Sequence, residues 1–274
     1  MITFISRPLA IVVVFLTAAS AQAGKLELQG EPVQGALMIG RTEPGTTVKF
    51  DGEPVRVSTG GVFLLGFGRD APEKARLDAV FPDGSRVGRD LLVAKRTYKV
   101  QRIDGLPPKK VTPSEEDMVR IRKEYALIRT ARDRDDARED FLGGFEWPAR
   151  GRISGVYGSQ RILNGVPRRP HFGVDVAAPV GTLVYAPADG LVTMAHDDMF
   201  FSGGTLIVDH GHGLSSSFLH LSAILVKGGD RVRQGDPIAK IGATGRVTGP
   251  HLDWRMNLMG ARLDPQLLVG PMAP

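Results

Sequence analysis

Histidine and aspartate side chains recur at close spacing in two short segments of the C-terminal half. The first segment contains His171 and Asp175, and the second contains His251 and Asp253. A further histidine, His220, lies between them. Imidazole nitrogen and carboxylate oxygen suit a catalytic Zn²⁺, which takes three protein groups and keeps one position open. These residue types therefore predict a metal-dependent hydrolase with one zinc ion.

The spacing within each segment constrains the backbone. On a strand, His171 and Asp175 would share one face while the apolar residues between them enter the core. An ideal strand separates two such residues by about 13 Å, so the chain has to bend between them. Gly173 is the residue expected to permit that bend. His251 and Asp253 are two residues apart, so both face the same way in an extended chain.

Three motifs in sequence order resemble a known family. They are His171-Phe-Gly-Val-Asp175, Leu219-His-Leu221 and Gly249-Pro-His-Leu-Asp-Trp254. They are similar to the motifs of the LytM/lysostaphin-type zinc endopeptidases, which cut peptidoglycan cross-bridges. The resemblance covers roughly residues 145–260, including the segments Gly151–Gly158 and Tyr185–Gly190.

The resemblance implies a role for each matched residue. His171 and Asp175 would be zinc ligands. His220 and His251 would lie near the metal water, where they would assist proton transfer and stabilise the oxyanion. The resemblance also implies that residues 141–274 form a LytM-type metallopeptidase domain.

The sequence departs from this family at one position. The last motif of the family is usually His-x-His, whose second histidine is the third ligand, and here that position is Asp253. A carboxylate oxygen also binds zinc, so His171, Asp175 and Asp253 would still hold the metal. Two carboxylates would reduce the Lewis acidity of the ion and raise the pKa of its water. The alternative is a degenerate site that binds no metal.

The expected function is that of an exported zinc metalloendopeptidase acting on the peptide cross-links of bacterial peptidoglycan. Zinc would lower the pKa of a bound water and polarise the scissile carbonyl. His220 or His251 would accept the proton and later deliver one to the leaving amine, and the sequence leaves open which. The alternative is a catalytically inactive LytM-type module that binds peptidoglycan or activates a cell-wall amidase.

Other histidines and aromatic residues near the motifs have simpler interpretations. His210 and His212 fall in a glycine-rich turn predicted between two strands, and His196 precedes two aspartates in a predicted loop. A second metal site at either place is not expected. Trp254 and Phe172 are predicted to lie in the core.

Two interpretations stay open for the residues ahead of His171. Tyr157 either lines the groove as a hydrogen-bond donor or packs in the interior. Arg161, Arg168 and Arg169 either meet an acidic stem peptide of the substrate or lie on a solvated loop.

Length and composition limit the class of protein. The chain has 274 residues, of which 42% are hydrophobic, enough for two modest domains. It contains no cysteine, which excludes disulfides and thiolate ligands. The net charge of +5 favours the anionic cell envelope as a partner. Nucleic acid is a poor alternative, because the basic residues are scattered and no aromatic–basic stacking motif occurs.

Residues 1–23 have the pattern of a secretory signal peptide. Arg7 precedes the apolar run Leu9–Leu16, and small residues lead to Ala21-Gln-Ala23. A membrane anchor is the alternative, but the run is too short to cross about 30 Å of hydrocarbon as a helix. We therefore expect an exported protein of the periplasm or cell envelope, with no membrane span after signal removal.

Residues 24–105 predict a small β-sandwich. Short apolar segments alternate with glycine- and proline-containing turns at regular spacing, which is typical of such folds. The strands are predicted at residues 36–39, 47–50, 55–57, 62–65 and 75–81. No polar cluster with catalytic spacing occurs here, so a binding or spacer module is expected.

Residues 106–140 predict a proline-rich break followed by a charged helical linker. Thr112 is the expected N-cap, with Pro113 in the first turn and Glu115 as the capping-box acid. One helix is predicted over residues 113–140, and the dense charge near its end is typical of a solvated helix. Its apolar face is predicted to contain Met118, Ile121, Tyr125 and Ile128.

Residues 141–274 return to β character. They predict a compact, mostly antiparallel β-domain whose loops frame a metal-site groove. The strands are predicted at residues 173–177, 183–186, 190–194, 205–208, 216–219 and 237–241. A sandwich and a helix in front of that groove would also allow autoinhibition by residues 25–140.

Overall fold

The computed structural model of the protein describes residues 25–272, so the signal peptide predicted for residues 1–23 lies outside the described residues. The chain is mostly β-structure, as predicted, with an N-terminal sandwich, a helical linker and a C-terminal antiparallel β unit. No helix in residues 25–272 is both long enough and apolar enough to cross a membrane.

Two small antiparallel sheets form the N-terminal sandwich. Its strands are β1 (Leu26–Gln29), β2 (Leu37–Thr42), β3 (Thr47–Phe50), β4 (Glu53–Val55), β5 (Val62–Gly66), β6 (Lys74–Val80) and β7 (Arg86–Leu92). One sheet has the order β1-β2-β5 and the other β4-β3-β6-β7. Alternate residues of β6, including Leu77, are buried, as the two-residue period of a strand requires. They pack with Phe63 and Leu65 of β5 in one apolar core.

The five strands predicted in this region are present with small shifts. β4 begins two residues before the predicted strand because Asp51 and Gly52 form a tight turn. Both residues have positive φ, at 49° and 86°, and this geometry joins adjacent antiparallel strands directly. The prediction missed β1 and β7. In β7 most side chains are exposed and charged or small, so the sequence has little apolar alternation.

The chain between the sandwich and the C-terminal unit contains one strand and two helices. They are β8 (Val100–Ile103), α1 (Pro108–Val111) and α2 (Glu115–Arg132), followed by a 3-10 turn at Asp140–Gly143. The prediction of one helix over residues 113–140 is wrong at both ends. Ser114 caps α2 instead of Thr112, because its Oγ accepts the Asp117 N–H at 3.2 Å. The Asp117 carboxylate accepts the Ser114 N–H at 3.3 Å in return, which completes a capping box.

The helix ends at Arg132 because the charged residues after it bond to other elements. Arg138 forms ion pairs with Asp140 and with Asp209 of the C-terminal unit. Arg231 binds both carboxylate oxygens of Asp140, at 2.8 and 3.0 Å. The segment predicted as a solvated helix is therefore a non-helical connection that is fastened to the C-terminal unit.

The buried face of α2 differs from the predicted one. Ile121 is buried, but Tyr125 is 50% exposed. Glu124 is buried instead, and its Oε2 accepts the Phe200 N–H at 2.8 Å. Arg120 pairs with Glu124 at 2.6 Å. On the buried face of α2, the Glu124 carboxylate, which accepts hydrogen bonds from two donors, is therefore found instead of the predicted Tyr125 ring.

The C-terminal unit is built mainly on one large antiparallel sheet. Its strands are β9 (Arg152–Gly155), β10 (Gln160–Leu163), β11 (Val166–Pro167), β12 (Val174–Ala177), β13 (Leu183–Tyr185), β14 (Gly190–Met199), β15 (Gly203–Asp209), β16 (Leu214–Ile224), β17 (Arg231–Val232), β18 (Pro237–Ile241), β19 (Leu252–Leu258) and β20 (Ala261–Leu263), with a short helix α3 (Gln266–Val269). The main order is β17-β14-β15-β16-β19-β12-β9. β18 pairs with β16 and β13, and β20 pairs with β19. All six predicted strands are present.

One face of this sheet is packed and the other carries polar residues. Leu252, Trp254 and Met256 of β19 are fully buried in the main core with Phe218 of β16. The residues between them on β19 point to the opposite face, because side chains alternate along a strand. Trp254 stacks edge-on against Trp147 with ring centroids 5.9 Å apart, so its predicted core position is confirmed.

The linker and the C-terminal unit share a second sheet. β8 pairs in parallel with β10, and β11 completes three strands. Gln160 lies opposite Val100, and Leu163 lies opposite Ile103. A strand within the range predicted for the sandwich therefore pairs with the segment that leads towards His171.

The structure changes the predicted position of His196 and confirms the predicted turn at His210 and His212. His196 lies on β14 and not in a loop. His210 and His212 lie in the turn between β15 and β16, as predicted, but both are buried. His210 Nδ1 is 2.6 Å from the Asp189 carbonyl oxygen, and its Nε2 is 2.7 Å from Ser216 Oγ. The turn is therefore held by a neutral imidazole whose two ring nitrogens both form hydrogen bonds.

We predict that acid weakens the fold through His210. Burial lowers the pKa of His210 from 6.5 to about 4, so the unfolded chain takes up the proton first. The stabilisation is complete above pH 6.5 and is lost as the pH falls towards 4, by about 2 kcal/mol between pH 7 and pH 5. Urea unfolding of wild type and His210→Gln at both pH values measures it, with His196→Gln as control. A pH dependence equal in all three proteins would contradict the assignment.

Candidate metal centre

Two aspartates lie directly opposite each other on neighbouring strands. Asp175 of β12 pairs in register with Asp253 of β19, and such cross-strand partners have their side chains on the same face about 5 Å apart. His171 precedes β12. One ligand atom from each of the three residues lies within 4.8 Å of the others, and all three residues are buried. The strand register therefore assembles the three predicted ligands.

Glycines make room for this group. The chain bends at Gly173, as predicted, but its φ is not left-handed, so glycine is needed here for a steric reason. A Cβ at Gly173 would lie 2.5 Å from Asp253 Oδ1 and 2.6 Å from the Trp254 carbonyl oxygen. A Cβ at Gly155 would lie 2.2 Å from Asp175 Oδ2. Any side chain at either position would displace a carboxylate.

Three polar atoms of the group lack a hydrogen-bond partner in residues 25–272. Both ring nitrogens of His171 and Oδ1 of Asp175 are buried without a hydrogen bond in the part of the chain described. His171 Nε2 lies 3.0 Å from that Asp175 oxygen and its Nδ1 lies 4.0 Å from Asp253 Oδ2. Buried polar atoms are costly unless they are bonded. A divalent cation would satisfy them together, so these residues fit the metal that the sequence predicts.

His220 and His251 form a pair beside the three candidate ligands. Their ring centroids are 4.9 Å apart. His220 Nδ1 lies 2.8 Å from the Thr244 carbonyl oxygen, and His251 Nδ1 lies 2.9 Å from that of Gly249. Each carbonyl accepts a hydrogen bond from the Nδ1–H of its histidine, which leaves Nε2 without a proton and able to accept one. His251 Nε2 is 3.8 Å from Asp175 Oδ1. Both predicted catalytic histidines therefore lie at the site.

The backbone and the charge state of His220 are unusual. Its φ is +66°, a conformation that is rare for residues other than glycine and tends to occur at functional positions. Its N–H donates to the Ser202 carbonyl at 2.8 Å. Burial lowers the pKa of His220 to about 4. The imidazole is thus neutral near pH 7 and able to accept a proton.

Two arginines bind the two carboxylates. Arg161 Nη2 lies 2.6 Å from Asp175 Oδ2. Arg255 places Nε 2.9 Å from Asp253 Oδ1 and Nη2 2.5 Å from Asp253 Oδ2. Burial alone would raise the pKa of Asp175, but the charges of His171 and Arg161 outweigh it and lower that pKa to about 2. Burial likewise opposes the shift at Asp253, whose pKa Arg255 lowers well below its usual range.

Sequence reasoning missed the role of Arg255. The available signal was its position two residues after Asp253, which places both side chains on one face of a strand. The guanidinium offsets the extra carboxylate that replaces the family's histidine. The expected loss of Lewis acidity was based on two uncompensated carboxylates, and the structure adds a positive charge to each of them.

The remaining candidates lie outside the group. Tyr157 is buried and donates its hydroxyl to the Arg262 carbonyl at 2.7 Å, which agrees with a packing role. Phe172 is half-buried, with its ring centroid 6.4 Å from that of Tyr157. Arg168 donates to the Val111 carbonyl at 2.6 Å.

Comparisons with known proteins agree with this site. The model of peptidase family M23 matches residues 169–265, a range that contains all five predicted site residues. The crystal structure of a candidate M23 peptidase from Pseudomonas aeruginosa is 30% identical, with a TM-score of 0.67. That alignment covers 89% of this chain and 97% of the other. The fold and the site thus define a metallopeptidase-type unit, and the chain belongs to peptidase family M23.

Curated relatives match the C-terminal part of the chain. The peptidoglycan DD-endopeptidase ShyA of Vibrio cholerae is 40% identical over 124 residues, which is 44% of this chain and 28% of the relative. The peptidoglycan DD-endopeptidase ShyC of the same organism is 39% identical over 105 residues, or 38% of this chain and 24% of the relative. The matched region spans about a quarter of each of these relatives.

We predict that Arg255→Gln destabilises the metal-free protein much more than the zinc-loaded protein. Without the guanidinium, Asp253 is a buried and unpaired carboxylate, which should cost the metal-free protein about 3 kcal/mol. Added Zn²⁺ should recover most of that loss, because the cation supplies the missing charge. Thermal unfolding with and without zinc measures both effects, and chelator competition measures zinc affinity.

Arg122→Gln on the exposed face of α2 is the matched control and should leave both unfolding temperatures unchanged. A drop for Arg255→Gln that zinc fails to reduce would contradict the idea that guanidinium and metal share the Asp253 charge.

Proposed function

We propose that this protein is an exported zinc metalloendopeptidase that hydrolyses peptide cross-links of bacterial peptidoglycan. The observation that carries the proposal is the buried group of His171, Asp175 and Asp253, whose unpartnered atoms converge beside two histidines with free Nε2 atoms. Membership of family M23 supports peptide hydrolysis. The names of the curated relatives support peptidoglycan as the substrate.

Different residues of the chain would bind the metal and transfer protons. Zinc, when bound, supplies a Lewis acid that activates water and polarises the scissile carbonyl. His171, Asp175 and Asp253 would hold it, and Arg161 and Arg255 would fix the carboxylates in orientation.

The two histidines would move the proton. The Thr244 and Gly249 carbonyls lock the Nδ1 proton on His220 and His251, so Nε2 of either ring can accept a proton and return it to the leaving amine. The neutral state of His220 follows from its burial. Because the rings are in contact, we propose that they act as a pair.

An inactive module is the second candidate function. The Arg255 fork occupies both oxygens of Asp253, which is the arrangement expected if a guanidinium takes the place of the cation. Such a protein would bind peptidoglycan or activate a cell-wall amidase without cleaving. The unpartnered atoms of His171 and Asp175 argue for the enzyme.

The proposed location is the periplasm or cell envelope. The peptidoglycan names of the relatives and the net charge of +5 support contact with the anionic envelope and with peptidoglycan stem peptides. The signal peptide expected at residues 1–23 would deliver the chain there.

Digestion of purified sacculi by residues 24–274 loaded with zinc tests the proposal. The mature full chain is used because α2 and the linker pack against the C-terminal unit. We expect cross-linked muropeptides to disappear and chelator to block their loss. Intact cross-links with zinc bound would contradict the endopeptidase. Intact cross-links without bound zinc, together with co-sedimentation of the protein with sacculi, would favour the inactive module.

Substitutions should separate metal binding from proton transfer. His171→Ala should lose zinc and activity together. His220→Ala and His251→Ala should keep zinc but lose about 10²–10⁴-fold in rate, the usual contribution of a general acid or base. Zinc content by atomic emission and muropeptide release give both readouts. His196→Ala is the control and should match wild type. Full activity in both His220→Ala and His251→Ala would exclude the proposed proton transfer.

A further inference from the structure

A row of polar side chains leads away from the candidate metal centre along β19. Asp253, Arg255 and Asn257 alternate with buried apolar residues, so they share the face that carries the metal ligands. Same-face residues on a strand are about 7 Å apart. On β16, Ser217 lies opposite Arg255 and Ser215 lies opposite Asn257. These residues form a polar floor beside the reaction centre.

Arg132 from the end of α2 reaches over this floor. Its Nη2 donates to Ser217 Oγ at 2.8 Å. Its Nε is buried and has no hydrogen-bond partner in the part of the chain described. Arg132 forms no ion pair with any carboxylate in residues 25–272. Burial, together with the positive charges of Arg262 and Arg255, lowers the pKa of Arg132 well below its usual value.

Arg262 from β20 also contacts this floor. It donates to Asn257 Oδ1 and, like Arg132, has no carboxylate partner within residues 25–272. Burial and the charges of Arg255 and Arg169 lower the pKa of Arg262 to about 10. The guanidinium groups of Arg132 and Arg262 thus lie beside Arg255. Arg255 itself is already ion-paired with Asp253.

Unused donors lie at the same place. Asn257 Nδ2 and Ser215 Oγ are both buried and unbonded in the described structure. With Arg132 Nε they make three donors that have no acceptor. A buried cation and buried donors are costly when they have no partner. The negative end of the α2 dipole offsets part of this cost at Arg132, but it bonds none of these groups.

We propose that Arg132 and Arg262, with Asn257 and Ser215, form a subsite that binds a carboxylate of the peptide substrate. A carboxylate matches the planar fork of a guanidinium and accepts from amide and hydroxyl donors. The subsite lies about 7–14 Å from Asp253 along β19. An extended peptide advances about 3.3 Å per residue, so the carboxylate belongs to a residue about two to four positions from the reacting bond. This inference rests on the proposed peptidase function.

Binding of two matched peptides to the zinc-loaded full chain tests the subsite. Both are cross-linked stem peptides with an N-methylated scissile amide that cannot be cleaved. One carries a free carboxylate two residues from that bond, and the other carries a primary carboxamide there. We expect the carboxylate peptide to bind at least about tenfold more tightly in calorimetry, which is the size of a charge-assisted hydrogen bond.

Arg132→Gln and Arg262→Gln should each reduce this preference towards unity. Arg129→Gln, one turn earlier on the exposed side of α2, is the matched control and should keep it. Arg262→Gln lies on a different element, so it separates anion binding from any effect of Arg132 on helix docking. Equal affinity for both peptides in wild type, or a preference that survives in both variants, would overturn the proposal.

The subsite and the peptidase function fail in different ways. Sacculus cleavage without a carboxylate preference would refute the subsite alone. A carboxylate preference that disappears in both variants, without sacculus cleavage, would support the subsite and refute the peptidase.

Discussion

The burial of two carboxylates face to face is the constraint on which the site depends. Asp175 and Asp253 lie opposite each other on neighbouring strands and are both buried, so two uncompensated negative charges there would repel strongly. Arg161 and Arg255 each neutralise one of them, and the remaining unpartnered atoms suit a cation. The strand register, the glycines and the arginines are all consequences of keeping this pair charged and close.

The arginines around Asp175 and Asp253 carry more positive charge than is needed to neutralise these two carboxylates. Arg255 pairs with Asp253, whereas Arg132 and Arg262 are repelled by neighbouring arginines. Neither of these two forms an ion pair with an acidic residue in the described part of the chain. A peptide rich in carboxylates would relieve that repulsion as it enters. The same electrostatics that hold the reaction centre together would thus also select the substrate.

The sequence predicted most strands and the residues that form the candidate metal centre, because both depend on local patterns. His171, Asp175 and Asp253 were identifiable from residue type and motif, and β12 and β16 from apolar runs. The end of α2 was not predictable, because Arg138 leaves the helix to pair with Asp209, about seventy residues later in the chain. The roles of Arg132 and Arg262 also depend on which strands become neighbours, and spacing along the chain carries no information about that.

The parallel pairing of β8 with β10 limits how this protein can be divided. β8 lies in the range predicted for the sandwich, yet it is the hydrogen-bonded neighbour of the strand that carries Arg161. A cut at residue 105 would leave an unpaired edge beside the segment that enters the metal centre. The M23 unit of this chain is therefore not an interchangeable cassette, and any recombination that preserves it has to carry its upstream strand along.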